Sequence, residues 1–521
     1  MTVKRISAGS APFARKFVLL GSVFVVAGCG LVYELVAGAI SSYLMGDAVT
    51  QFSLVIGVFL CAMGVGSYLA RFVRTRLVET FIEFEIWIGL LGGGSSIAIF
   101  AVSALASPIL PVFFYVLCAA IGILVGMEIP LLVRIIQAEE GVSTALSNVL
   151  ALDYAGALAG SILFPLVVLP YLGLSRSSVV YGIMNLGVAA VGLRLLPGPQ
   201  KRLRRQVVAA AVILLGMLIA STHLVSMFED MLYQDRVIYA SSSRYQRIVL
   251  TRWRDDIRLF LNGNLQFSSV DEARYHESLV IPAMEAARAP RRVLVLGGGD
   301  GMAVREVLKY PSVKTVTLVD IDPQVVQLAR NRPEFLHLNQ GALNDPRVQV
   351  HVMDAFKFLE TNRDYYDVII CDLPDPNCES LAKLYSTAFY ALCARRLSRQ
   401  GVLVTQATSP FYATSAFWCI LKTIKQAVRP LDDIDAGLKP VPYHVNVPSF
   451  GEWGFVLAAR RRLDPSILVP TVPTRFLTTD VLQAMFVFGK DLLPQKEIVP
   501  NRLDDPILFR YYQQGWQHFN Q

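Results

Sequence analysis

VLVLGGGDGMAVREVL, residues 293–308, runs from an apolar strand pattern through three glycines and an aspartate into a helical pattern. Glycines at a strand-to-helix turn let the backbone approach a ligand closely, and the N-terminus of the following helix ordinarily welcomes negative charge. Asp300 stands at the mouth of that loop and repels a phosphate or carboxylate there. The loop therefore predicts a ligand with a cationic group.

Downstream of this unit, apolar strand patterns alternate with helical ones: TVTLVDID, VQVHVMDA, YDVIICDLPDP and GVLVTQA. That alternation predicts a Rossmann-like α/β domain with a parallel sheet buried on both faces, which binds ligands at the carboxyl ends of its strands. Those ends carry Asp300, Asp320, Asp354, Asp372 and Asp375. Asp320 lies 23 residues beyond Gly297, near the spacing at which an acid takes ribose hydroxyls in nucleotide-binding units. One acid at a strand end is an ordinary turn former or helix cap. Five converging acids make a local negative field that attracts and orients polycations. Upstream, RIVLTRW, IRLFLNG and NLQF, separated by Asp255-Asp256 and Asn262-Gly263, predict a small β-meander.

The first half of the 521 residues reads differently. Seven apolar segments are long enough for membrane spans: 17–42, 48–70, 82–106, 109–136, 145–172, 175–195 and 207–225. The net charge of +7 needs no nucleic-acid partner, because much of it sits at span ends: Lys4, Arg5, Arg15 and Lys16, then Arg71, Arg74 and Arg76, then Lys201, Arg202, Arg204 and Arg205. The seven cysteines form no CxxC pair, so neither a disulfide framework nor a zinc site is expected. Glu34, Glu128 and Asp153 fall at membrane depth, where ionisable groups are expensive. They either pair within the bundle, Glu128 with Arg134, or line a recess for a cationic substrate. Gly156 and Gly160 favour close helix packing. The expected domains are a seven-span helical membrane domain (1–226), a β-strand subdomain (227–289), the Rossmann-like domain (290–465) and a C-terminal extension (466–521).

GGGDGMAVREVLKYPSVKTVTLVDID, MDAFKFL, CDLPDP and the upstream LNGNLQFSSVDEARYHESL together resemble the spermidine synthase (polyamine aminopropyltransferase) family in its membrane-fused bacterial form. The resemblance covers residues 237–460. It implies transfer of the aminopropyl group of decarboxylated S-adenosylmethionine, a co-substrate, to an amine, putrescine by default, with release of methylthioadenosine. By resemblance, Gly297 and Gly299 form the donor loop, Asp320 and Gln266 hold the ribose, Asp354 holds the adenine amino group and Asp300 faces the aminopropyl ammonium. Asp372 matches the general base, while Asp375, Tyr275 and His276 match the acceptor side. The resemblance also implies a homodimer, with a polyamine substrate and the lipid bilayer as partners, no resident cofactor and no metal. Intact S-adenosylmethionine carries a carboxylate beside its ammonium, which Asp300 repels.

Two departures fall on the acceptor side: Pro448 stands where the family offers a tyrosine, and the loop after Asp375 is short. Two competing readings are a methyltransferase using intact S-adenosylmethionine and a non-catalytic polyamine sensor or transporter. The second has no use for the base at Asp372. The implied donor is cytoplasmic, which favours a cytoplasmic catalytic domain. With seven spans and a basic N-terminus inside, that requires a split or re-entrant span, expected near Pro130 or Pro165.

Overall fold

The computed structural model describes residues 12–45, 48–196, 200–233, 235–427 and 437–519; Lys4 and Arg5 lie outside them. The chain divides into two compact units, 1–237 and 238–521.

The first unit is helical: α1 (Pro12–Met45), α2 (Ala48–Leu69), α3 (Leu77–Leu105), α4 (Leu110–Glu140), α5 (Val142–Leu163), α6 (Leu169–Gly192) and α7 (Lys201–Tyr233). Among the described residues, six segments are long and apolar enough to cross a membrane. One of them, Val142–Leu195, is 54 residues long and takes in both α5 and α6. A straight helix of that length would reach about 80 Å, against a hydrocarbon core of about 30 Å. It is interrupted at Gly173, whose φ of 70° and ψ of 177° are not helical. Gly160 packs on Gly28 of α1, and neighbouring Cys29 donates to the Tyr181 carbonyl. Residues before and after Gly173 therefore reach the same level of α1, so the segment doubles back at this glycine. α4 continues through Pro130, and Pro165 sits in a π-turn within unbroken helix. Neither proline supplies the split invoked for sidedness.

Close packing explains the small residues. A side chain at Gly156 would place its Cβ 2.1 Å from the Phe24 carbonyl oxygen of α1. Glu128 pairs within the bundle, but not with the partner expected. Arg134 donates to the Ala70 carbonyl at 3.1 Å and not to Glu128. Glu128 instead meets Glu85 of α3, a buried acid that the sequence reading did not single out. Glu85 accepts from Asn185 at 3.0 Å, and Asn185 accepts from Tyr33 at 3.2 Å.

The second unit opens with an antiparallel sheet, β1 (Arg236–Ser242), β2 (Arg247–Trp253), β3 (Asp256–Leu261) and β4 (Asn264–Ser268), in that order. Asn262 and Gly263 both take positive φ, 50° and 79°, as a two-residue hairpin turn requires. Asp256 is no solvated turn residue. It is buried and accepts from Ser268, Ser269 and Arg258.

The rest alternates: α8 (Glu272–Ala287), β5 (Arg292–Gly297), α9 (Met302–Leu308), β6 (Thr315–Asp320), α10 (Pro323–Asn331), α11 (Pro333–Asn339), β7 (Val348–Val352), α12 (Ala355–Thr361), β8 (Tyr366–Asp372), α13 (Glu379–Ala382), α14 (Thr387–Arg396), β9 (Leu397–Gln406) and α15 (Thr414–Gln426). An antiparallel hairpin, β10 (Lys439–Val447) and β11 (Gly451–Ala459), completes the sheet in the order β10-β11-β9-β8-β5-β6-β7. The five strands β9-β8-β5-β6-β7 are parallel, as read; the hairpin was not foreseen. Val293 and Val295 of β5 enter one core and Leu294 and Leu296 the other. Both faces of the sheet are thus covered, which explains its continuous apolar runs.

The C-terminal residues, with α16 (Thr479–Ala484) and α17 (Ile507–Phe519), are not a separate appendage. Leu468, Leu477 and Leu482 join the first core, and Ile498 and Leu508 the second.

Candidate active site

β5 lies between β6 and β8, so the chain runs outward through β6 and β7 and then returns to the other side of β5. Ligands on open α/β sheets bind at such a switch point. Each glycine of the loop has its own reason. Gly297 (φ 81°) pairs with Asp372, and a Cβ there would stand 2.0 Å from the Asp372 carbonyl oxygen. At Gly298 (φ 66°) a Cβ would come within 2.9 Å of Asp372 Oδ2, and at Gly299 within 2.6 Å of Asp320 Oδ2. The loop holds its backbone directly against two acids.

Asp320 accepts from the Gly299 N–H at 3.0 Å and the Asp322 N–H at 2.8 Å. Burial pushes its carboxyl up to about 6 despite these donors, with repulsion from Asp322 and Asp300 adding to the rise. Asp300 accepts from the Met302 N–H at 2.9 Å, and Asn339 holds its carbonyl at 2.9 Å. Its side chain thus closes a turn onto the first N–H of α9, whose N-cap is Gly301.

The Met353 N–H donates to the Asp320 carbonyl at 3.0 Å, which sets Asp354 beside Asp320. Asp354 Oδ1 caps α12 through Phe356 N–H at 2.7 Å, while Oδ2 accepts from Lys383 at 2.7 Å. Burial raises the Asp354 pKa, but the Lys383 ammonium and the cap outweigh it and hold the group below its ordinary range. Lys383 was missed by the sequence reading.

Asp372 accepts from the Tyr275 hydroxyl at 2.8 Å. Burial lifts Asp372 to about 6; the charge of His276 opposes the rise and that of Asp300 adds to it. Tyr275 is pushed well above the usual phenol value, first by burial and then by Asp372, so it donates throughout the working range. His276, on the same turn of α8, is buried with only 2% of its surface exposed, and its Nδ1 lies 2.9 Å from both the carbonyl and Oε2 of Glu272. Burial alone would lower the His276 pKa, yet the bond to Glu272 and the nearby charge of Asp300 lift it to about 9. Arg305 also binds Glu272, at 2.8 Å and 3.1 Å. His276 is thus buried in edge-on contact with Tyr275, ring centroids 5.0 Å apart, where Glu272 and Asp300 favour its protonated form.

Asp375 sits in a cradle of donors: Tyr512 at 3.0 Å and Thr408 at 3.4 Å on Oδ2, and Gln406 at 3.2 Å on Oδ1. Burial raises Asp375 to about 6 against all three. Gln406 also holds the Leu373 carbonyl at 2.8 Å, and Tyr385 holds that of Pro374 at 2.9 Å, so the Asp372–Asp375 turn is pinned from behind. Gln406 ends β9 and could have been found by reading every strand end for amides as well as acids. Gln266 is on β4, where its Nε2 donates to the Asn264 carbonyl at 3.2 Å. Among the described residues no group of three or more His, Cys, Asp or Glu is arranged to hold a metal ion.

Residues 272–461 match the model of the spermine/spermidine synthase domain. The chain is 48% identical over 511 residues to polyamine aminopropyltransferase 2 of Ralstonia nicotianae, covering 96% of this chain and 98% of that one. It is 45% identical to the polyamine aminopropyltransferase of Leptospira interrogans over 500 residues, covering 95% and 98%. The enzyme of that name from Oceanobacillus iheyensis is 43% identical over 508 residues, covering 95% and 96%.

Proposed function

Since this chain belongs to the polyamine aminopropyltransferase family, we propose that it is a multi-pass membrane enzyme moving the aminopropyl group of decarboxylated S-adenosylmethionine to an amine, putrescine by default. The observation that carries this reading is the register that pairs Gly297 of the glycine loop with Asp372 at the switch point, where Asp372 accepts from Tyr275 and feels the charge of Asp300. Asp320 and Gln266 take the ribose hydroxyls, and the Asp354 carboxylate takes the adenine amino group in exchange for Lys383. Asp300 faces the aminopropyl ammonium.

An alkylamine with a pKa near that of lysine, about 10.4, is protonated at neutral pH, and only its free lone pair attacks carbon. Asp372 accepts the amine proton, with Tyr275 fixing the carboxylate by its hydrogen bond to Oδ1. The nitrogen lone pair then forms a bond to the aminopropyl carbon attached to sulfur. The C–S bond breaks and its electrons stay on sulfur, so the sulfonium leaves as neutral methylthioadenosine without acid assistance. Asp375 anchors the acceptor, and His276 keeps Tyr275 in place from below.

The test is product analysis by mass spectrometry, using full-length protein in detergent, decarboxylated donor and a panel of amines. Methylthioadenosine and an aminopropylated amine are expected in equal amounts. An intact donor after prolonged incubation would refute the reading.

A further inference from the structure

We infer that Tyr512, on α17, is an acceptor-side positioning residue, orienting Asp375 through the hydrogen bond from its hydroxyl. The inference rests on the aminopropyltransferase reading and deepens it on one side of the site. Its hydroxyl donates to Asp375 Oδ2 at 3.0 Å, the shortest of the three side-chain bonds to that carboxylate. Because Tyr512 and Thr408 share Oδ2, the torsion of the carboxylate is fixed and Oδ1 is turned toward Gln406. A carboxylate held this way presents a set direction to an incoming ammonium.

α17 is itself held against the segment that follows Thr408. Trp516, one turn beyond Tyr512, stacks on Tyr412 with ring centroids 4.9 Å apart and planes 23° from parallel. A Cβ at Gly515 would lie 2.6 Å from the Tyr412 carbonyl oxygen, so only glycine lets the helix sit this close. One helix thus supplies the Tyr512 donor to Asp375, while Thr408 is held separately by Gln406 and the Gly454 N–H.

Tyr512 lies 51 positions past residue 461, where the match to the synthase domain ends. The same acceptor side has Pro448 where the family resemblance places a tyrosine. Through Tyr512 the C-terminal segment reaches the acceptor side of the site.

The test is Tyr512→Phe in the full chain, which keeps the ring and removes the donor. The acceptor KM should rise about 10-fold or more, as loss of a hydrogen bond to a charged group implies. Donor KM, donor binding and the thermal midpoint should stay at wild-type values, and the acid limb of the acceptor kcat/KM should move to higher pH. In an Asp375→Asn background the same substitution should add nothing. An unchanged acceptor KM, or a parallel fall in donor binding and thermal midpoint, would overturn the inference. Wild-type protein that makes no aminopropylated product would instead sink the reading beneath it.

Discussion

Gly297 and Asp372 face one another in the pairing of β5 and β8 so closely that a single methyl group at Gly297 would lie 2.0 Å from the Asp372 carbonyl oxygen. The residue that ends β5 thereby fixes the height at which Asp372 ends the neighbouring β8. Gly297 also has φ of 81°, so a side chain there is strained whatever the space. Gly297→Ala is predicted to cost about 3 kcal/mol or more in folding stability, because the clash and the backbone strain add. Thermal unfolding in detergent measures this, and a midpoint equal to wild type would show that the strands separate without cost.

Asp372→Asn should leave donor binding nearly intact and lower turnover by about 100-fold or more, as removal of a general base does. The pH profile gives the matching sign. A base raised to about 6 is ionised above that value, so the acceptor kcat/KM should fall as pH drops through about 6. Asp375 sits in the same range, and the limb reports the two together. Turnover retained in Asp372→Asn would remove Asp372 from this role.

On the proposed reading, Lys383, which donates to Asp354, competes with the donor's adenine amino group for that carboxylate. Its side chain is 42% exposed, so solvent screens the pair and its worth is about 0.2–1 kcal/mol. Lys383→Met is therefore predicted to tighten nucleoside binding by up to about 5-fold, since the adenine amino group no longer displaces an ammonium. Weaker binding in titration calorimetry would mean that Lys383 contacts the donor itself.

Much of this site was legible because each acid ends a strand or follows one within three residues, and β5 and β8 are continuous apolar runs. Leu294 to Leu296 and Ile369 to Cys371 are buried on both sides, and the next polar residue had to emerge at the sheet edge. β10 was not legible, because Pro440, Pro442 and His444 interrupt its pattern. It is an edge strand, where a missing N–H does no harm. Tyr512 could not be foreseen: it meets Asp375 from 137 residues away, and no local spacing encodes that encounter. Glu85 was hidden differently. With Glu79 and Glu83 nearby, it looks like part of a solvated helix end, and only packing shows it buried against Glu128.

The central claim is that Asp300 makes the glycine loop select a donor with a bare ammonium over one that also carries a carboxylate. Titration calorimetry of the full-length protein with decarboxylated and intact S-adenosylmethionine, under one set of conditions, tests it most directly. The decarboxylated donor should bind at least about 10-fold more tightly, the effect of one unfavourable charge contact of about 1.4 kcal/mol. Tighter binding of the intact, carboxylated form would contradict the account.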